Sequence, residues 1–217
     1  MFIGHYAVAL AAKSAAPKTS LGTLVMAAQF LDLLWPVLLL AGVERVFIVP
    51  GNTAFTPLDF VSYPYSHSLL MAAVWATLFA IIYYFARRYS KGAYLIWIAV
   101  LSHWVLDLVT HRPDLPLAPG GGRLVGFGLW NSFAGTLIVE SLLFIIGLAL
   151  YLKRTRAKDK IGSYGFRAFI IVLLAIYFVN AYGSPPPNTQ LLALLALGQW
   201  LFVLWAYWVD KHRQAET

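Results

Sequence analysis

Apolar residues fall in six long runs, at roughly 21–41, 67–86, 93–110, 132–152, 166–183 and 190–209. Each is near the ~20 residues that a helix needs to cross the hydrocarbon core of a bilayer. A shorter apolar run, 2–16, ends in Lys13. It is too short to cross upright and predicts a tilted, partly inserted or re-entrant helix packed on the others. Helix breakers mark the connections: Pro17, then Pro50-Gly51 and Pro57, then Pro113, Pro116 and Gly120-Gly121-Gly122, and finally Pro185-Pro186-Pro187. The pattern therefore predicts an all-helical integral membrane protein of six transmembrane helices plus a short N-terminal apolar helix. One membrane domain would span 1–217, with no internal repeat.

Composition agrees with this pattern: 60% of the residues are hydrophobic and 12% charged. The net charge of +7 raises the question of nucleic acid, but its sources lie in short connections between apolar runs. Lys13 and Lys18 form one group, Arg87, Arg88 and Lys91 a second, Lys153 to Lys160 a third, and Lys211 and Arg213 a fourth. With six alternating spans all four groups fall on one side, which the positive-inside rule makes cytoplasmic. The C-terminus is then cytoplasmic, and 42–65, 111–131 and 184–189 are external. Nucleic-acid binding is not expected; the lipid bilayer is. The first residues lack a basic segment, so no cleaved signal peptide is read. With no cysteine, thiolate metal sites are excluded.

Against this topology the ionisable residues inside the spans are unevenly placed. His103, Asp107 and His111 recur every four residues and share one helical stripe. His67 opens its span from the external side, and His5 lies near the same surface if the first helix runs inward toward Lys13. Asp32 and Glu140 lie eight or nine residues in from the external ends of their spans, about 13 Å deep at 1.5 Å per residue. Four of the five histidines and all three intraspan acids thus occupy one layer. Burying an ionisable group in a bilayer costs about 2.5–3.5 kcal/mol on insertion scales, so such groups persist where something compensates. A metal ion is one compensation, a proton or ion pathway another, and hydrogen bonds between helices a third. Imidazole with carboxylate suits zinc, and carboxylate-richer sets admit manganese or iron.

Other features carry less. Gly120-Gly121-Gly122-Arg123 and Gly126-Phe127-Gly128 lack the strand and the Gly-Lys-Ser/Thr of a phosphate loop and read as a flexible external connection. Arg112 and Arg123 are better phosphate candidates, with snorkelling toward lipid headgroups as the competing role. The basic run 153–160 is an orientation signal that could also touch anionic lipid.

The order His5, Asp32, His67, then His103-x-x-x-Asp107 resembles that of the inner-membrane metal-dependent hydrolases described as LexA-binding. It is more distantly similar to the zinc-dependent phospholipase C and P1 nuclease group. The matching segments are Phe30 to Pro36 around Asp32, Ser66-His67-Ser68-Leu69, and Ser102-His103 through Asp107 to Thr110. They cover about the first 115 residues, which would form a metal-site core, with 116–217 as additional transmembrane helices. The resemblance implies a bacterial inner membrane and a metal held by Asp32, His67, His103 and Asp107. His5 would serve a second metal bridged by Asp107. Leu34 and Trp35 stand where that family has a further acid and histidine, and Tyr63-Pro64-Tyr65 lies near the usual place of a His-Arg-Gly stretch. Fewer ligands favour one metal over two and leave open a catalytically silent member.

The expectation is a membrane-embedded, zinc- or manganese-dependent hydrolase with its site toward the external side. The resemblance makes the substrate a phosphoester on a lipid or lipid-linked molecule. His5, His111 or Glu140 would act as extra ligand or general base, and Arg112 or Arg123 would hold the phosphate. A silent membrane scaffold and a proton- or ion-coupled transporter are the rivals. The transporter should carry helix breaks at the midplane, whereas the clearest breakers here lie in connections.

Overall fold

The computed structural model describes residues 1–216. Ten α-helices and three small antiparallel strand pairs follow one another among them. The helices are α1 (Ile3–Ala15), α2 (Leu21–Ala28), α3 (Phe30–Leu40), α4 (Pro64–His67), α5 (Leu69–Arg87), α6 (Ser90–Thr110), α7 (Phe133–Arg154), α8 (Phe166–Tyr182), α9 (Thr189–Leu197) and α10 (Gln199–Lys211). Strands β1 (Arg45–Ile48) and β2 (Leu58–Ser62) pair, as do β3 (Leu115–Pro116) with β4 (Leu124–Val125), and β5 (Thr155–Ala157) with β6 (Arg213–Ala215). The expectation of an all-helical chain is therefore met in its long helices, while two of its connections fold as hairpins.

Five segments are long and apolar enough to cross a membrane: α5, α6, α7, Ile161–Tyr182 around α8, and Thr189–Lys211, which joins α9 to α10. The remaining predicted span, 21–41, is broken. Its halves α2 and α3 meet at Gln29 with a bend of 57°. The helix starts are legible in the sequence. Ser20, Ser68, Ser132 and Asn188 each accept a hydrogen bond from the backbone N–H three residues on, a cap stabilising by about 1 kcal/mol.

The short helix α1 lies inside the bundle against α7, α2 and α6, with Tyr6 and Leu10 buried in the core. Gly147 lets α7 approach it, since a Cβ there would collide with the backbone of Ala7. The outer helices turn apolar side chains outward: Val74, Leu78, Ile82 and Phe85 on α5, Ile138, Leu142 and Ile145 on α7, Ile171 and Val179 on α8. Exposed apolar surface on this scale fits a multi-pass membrane protein, since water-soluble monomers rarely tolerate it.

The bundle has two distinct ends. At one, Lys13 Nζ pairs with Asp210 Oδ1 at 2.8 Å, β5 pairs with β6, and Arg213 lies over the rings of Tyr151 and Phe166. Lys13, expected as a loop charge, is instead buried in the last turn of α1 and neutralised by this acid. The other end carries the β1–β2 and β3–β4 hairpins, tied down by Phe55 N–H to Trp130 O and Leu70 N–H to Leu117 O, both at 3.0 Å.

Candidate metal centre

The hairpin end of the bundle gathers His5 from α1, Asp32 from the first turn of α3, His67 from the end of α4, and His103 and Asp107 from α6. His67 Nε2 lies 3.4 Å from Asp32 Oδ1 and 3.8 Å from Asp107 Oδ2. His103 Nε2 lies 3.7 Å from Asp32 Oδ1 and 3.3 Å from Asp107 Oδ2. Four ligands about 2.0–2.1 Å from a tetrahedral zinc sit roughly 3.4 Å from one another. The four separations are close to that spacing, and Asp32, His67 and His103 form one group able to hold an ion, with Asp107 Oδ2 beside both imidazoles.

The hydrogen bonds at the far side of each ring decide which nitrogens face inward. His103 Nδ1 donates to Ala28 O at 2.7 Å. That carbonyl would accept from Asp32 N–H in a continuous helix, so the insertion of His103 accompanies the break between α2 and α3. His67 Nδ1 lies 2.7 Å from Ser66 Oγ, whose own proton goes to Glu44 Oε2 at 2.6 Å. Glu44 also accepts from the backbone N–H groups of Tyr65 and Ser66. With both Nδ1 atoms donating, both Nε2 atoms are left facing carboxylate oxygens, an arrangement that either a proton or a metal ion between them makes favourable. His103 Nε2 is buried without any hydrogen-bond partner. Lone pairs facing carboxylates repel unless a cation lies between them, and an unpartnered buried polar atom costs about 1–3 kcal/mol. The donor set thus fits a divalent ion. Asp32, with its side chain 21% exposed, is the ligand that opens toward the adjoining cavity.

His5 belongs to a second, overlapping group with His103 and Asp107. Its Nε2 lies 3.2 Å from Asp107 Oδ1, its ring stacks on His103 at 3.5 Å, and both its nitrogens lack hydrogen-bond partners. The Met1 amino group lies 2.5 Å from the same Asp107 oxygen. Because His103 has only Nε2 to offer, it can ligate one ion. The two groups therefore cannot both be complete, and Asp107 also meets the start of α1 through the Met1 amino group.

The remaining candidates separate clearly. Glu140 is fully buried and accepts from Phe2 N–H at 2.8 Å and Gly4 N–H at 3.4 Å, while its Oε1 has no partner. His111, just past the end of α6, has Nδ1 2.9 Å from Asp114 Oδ1 and 3.2 Å from the Tyr63 hydroxyl. Burial lowers its pKa from the ordinary 6.5, against the opposing pull of Asp114. Both line a cavity of about 330 Å³ whose floor also includes Asp32, His67 and Asp107. The two arginines expected to hold a phosphate do not line it. Arg112 is engaged by Asp59, by Asn52 Oδ1 at 2.5 Å and by Asp114 Oδ2 at 3.1 Å, clamping the β1–β2 hairpin to the turn after α6. Arg123 is exposed in the turn between β3 and β4.

Sequence reasoning missed Glu44, Ser66, Asp114 and the carbonyl of Ala28. Ser66 adjoins His67 and Asp114 lies three residues after His111, so local spacing pointed to these two. Glu44 lies in the connection after α3, 22 residues from its partner, and nothing local marks it. Comparison with known proteins finds no matching family model, no similar curated protein and no similar solved structure.

Proposed function

We propose that this protein is a membrane-embedded hydrolase dependent on one divalent metal, zinc or manganese, acting on a substrate that reaches it from the bilayer. The observation that carries the reading is the pair of imidazoles whose Nδ1 atoms are occupied and whose Nε2 atoms face two carboxylates. Asp32, His67 and His103 would hold the ion beside Asp107, leaving a coordination position for water. When bound, it would supply Lewis acidity and bring the pKa of a water toward about 7. The chain's own residues do the rest. Glu44 through Ser66, and the Ala28 carbonyl, fix the ring orientations, an arrangement that commonly supports metal ligands. Glu140 Oε1, free at the cavity wall, accepts a proton. His111, held by Asp114, orients the substrate. The positive-inside rule places the basic end in the cytoplasm and the cavity toward the exterior.

Supporting lateral access, the cavity lining includes the apolar residues Phe55, Pro57, Val179, Pro185, Leu192 and Leu195. Val179 and Leu195 are 66% and 61% exposed on the outer surface of α8 and α9. The test is hydrolysis in ¹⁸O-labelled water by zinc-loaded protein in liposomes of total bacterial lipid. Labelled lipid products from wild type, absent with His67→Ala, are expected; no label above the variant would refute the reading. One observation favours a second reading. The broken helix at Gln29, three residues before Asp32, is a device that ion carriers also use. Zinc accumulating inside the same vesicles without lipid cleavage would decide for the carrier.

A further inference from the structure

The chemical character of the cavity narrows the substrate. We infer that the bond cleaved is an uncharged acyl linkage, a carboxylic ester or amide on an amphiphile, rather than a phosphoester; this rests on the hydrolase reading above. Among the described residues, no lysine or arginine lines the cavity, whereas Asp32, Asp107 and Glu140 do. One divalent ion and the Met1 amino group together balance Asp32, Asp107 and Glu140 and leave no positive charge over for an anionic substrate. The Met1 amino group, the one cation at the wall, is already 2.5 Å from Asp107 Oδ1. A phosphodiester would bring its negative charge against Glu140 in a poorly solvated site, and like charges so placed cost several kcal/mol. Phosphate-binding sites ordinarily meet that charge with arginine forks or a second metal. Here Arg112 is triply engaged and His103 serves a single ion.

The rest of the wall is suited to an uncharged polar group. Thr56, Asn180, Ser184 and Gln199 line it, and Gln199 Oε1 is buried without a partner, placed to accept an N–H or O–H. The cavity of about 330 Å³ has room for a headgroup and its linkage. The amphiphile's chain would leave past the apolar lining into the bilayer. In the reaction, the oxygen of water forms the new bond to the carbonyl carbon. The bond from that carbon to the leaving oxygen or nitrogen breaks, and Glu140 passes the water's proton to the leaving group. The products are a carboxylic acid and an alcohol or amine, with no other reactant needed.

The test compares chain-matched probes on zinc-loaded protein in nanodiscs. Binding is read by calorimetry with dodecanoyl hydroxamic acid, which is neutral, and dodecylphosphonate, which is anionic. Turnover is read with the 4-methylumbelliferyl ester of decanoic acid and the mixed decyl 4-methylumbelliferyl phosphodiester. The hydroxamic acid should bind at least about a hundredfold more tightly and the ester be cleaved with a similar preference. Both effects should disappear in His103→Ala. Tighter phosphonate binding with preferred phosphodiester cleavage would overturn the acyl assignment and leave the hydrolase standing. Cleavage of neither substrate by protein that retains zinc would overturn both.

Discussion

Ser66 and Glu44 act on the centre without touching its interior, and their effect is separable from that of the ligands. Removing the Ser66 hydroxyl leaves His67 Nδ1–H unpaired and frees the ring to turn. Ser66→Ala should therefore weaken zinc binding by about 10–100-fold while the protein still folds, measured by competition with a chromophoric chelator. His111 makes a different prediction. Because burial holds its pKa below 6.5, the unfolded chain takes up a proton near that pH which the folded protein does not accept. Its contribution to stability is thus full above pH 6.5 and falls as the pH drops through it toward the lower folded value. Thermal melts in detergent should show this loss between pH 7.5 and 5.5, and His111→Gln should flatten it. These roles were only partly legible in the sequence. Residue type and depth marked His5, Asp32, His67, His103 and Asp107, because a membrane leaves few reasons to bury such groups. Whether Arg112 was free depended on Asp59 and Asn52, more than 50 residues away, and periodicity carries no information on such pairings.

At the scale of elements, two contacts place the ligands. One is the approach of α1 to α7 at Gly147, which lets Glu140 reach the amides of Phe2 and Gly4 and brings His5 beside His103. Gly147→Val should push the helices apart, costing about 1–3 kcal/mol by overpacking. A lowered melting temperature together with reduced hydrolysis would be seen. The other contact is the bend between α2 and α3. Nothing in Ala27-Ala28-Gln29-Phe30 announces a break, since neither glycine nor proline is present. The break coincides with a carbonyl taken by a side chain from α6, a tertiary cause that the local pattern does not contain. The same reasoning covers the β1–β2 hairpin, whose strands lie in a stretch of mixed apolar and polar residues that hydropathy alone reads as a connection. The long spans, by contrast, were set by length and composition and appear close to their expected limits.

For the molecule as a whole, the centre lies near the hairpin end, opposite the basic connections. Asp107 is three residues from the end of α6 and Glu140 seven from the start of α7, about 5 and 10 Å along their helices. The chain has no cysteine, so single replacements report on sidedness. In intact cells, Ala54→Cys on the β1–β2 hairpin should react with a membrane-impermeant maleimide, and Lys158→Cys should react only after lysis. The most direct measurement is metal content by mass spectrometry on detergent-purified protein, comparing wild type with His103→Ala and Asp107→Ala. The account predicts about one tightly held zinc or manganese per chain in wild type and its loss in both folded variants. A wild-type protein that stays metal-free after loading with zinc and manganese would contradict it.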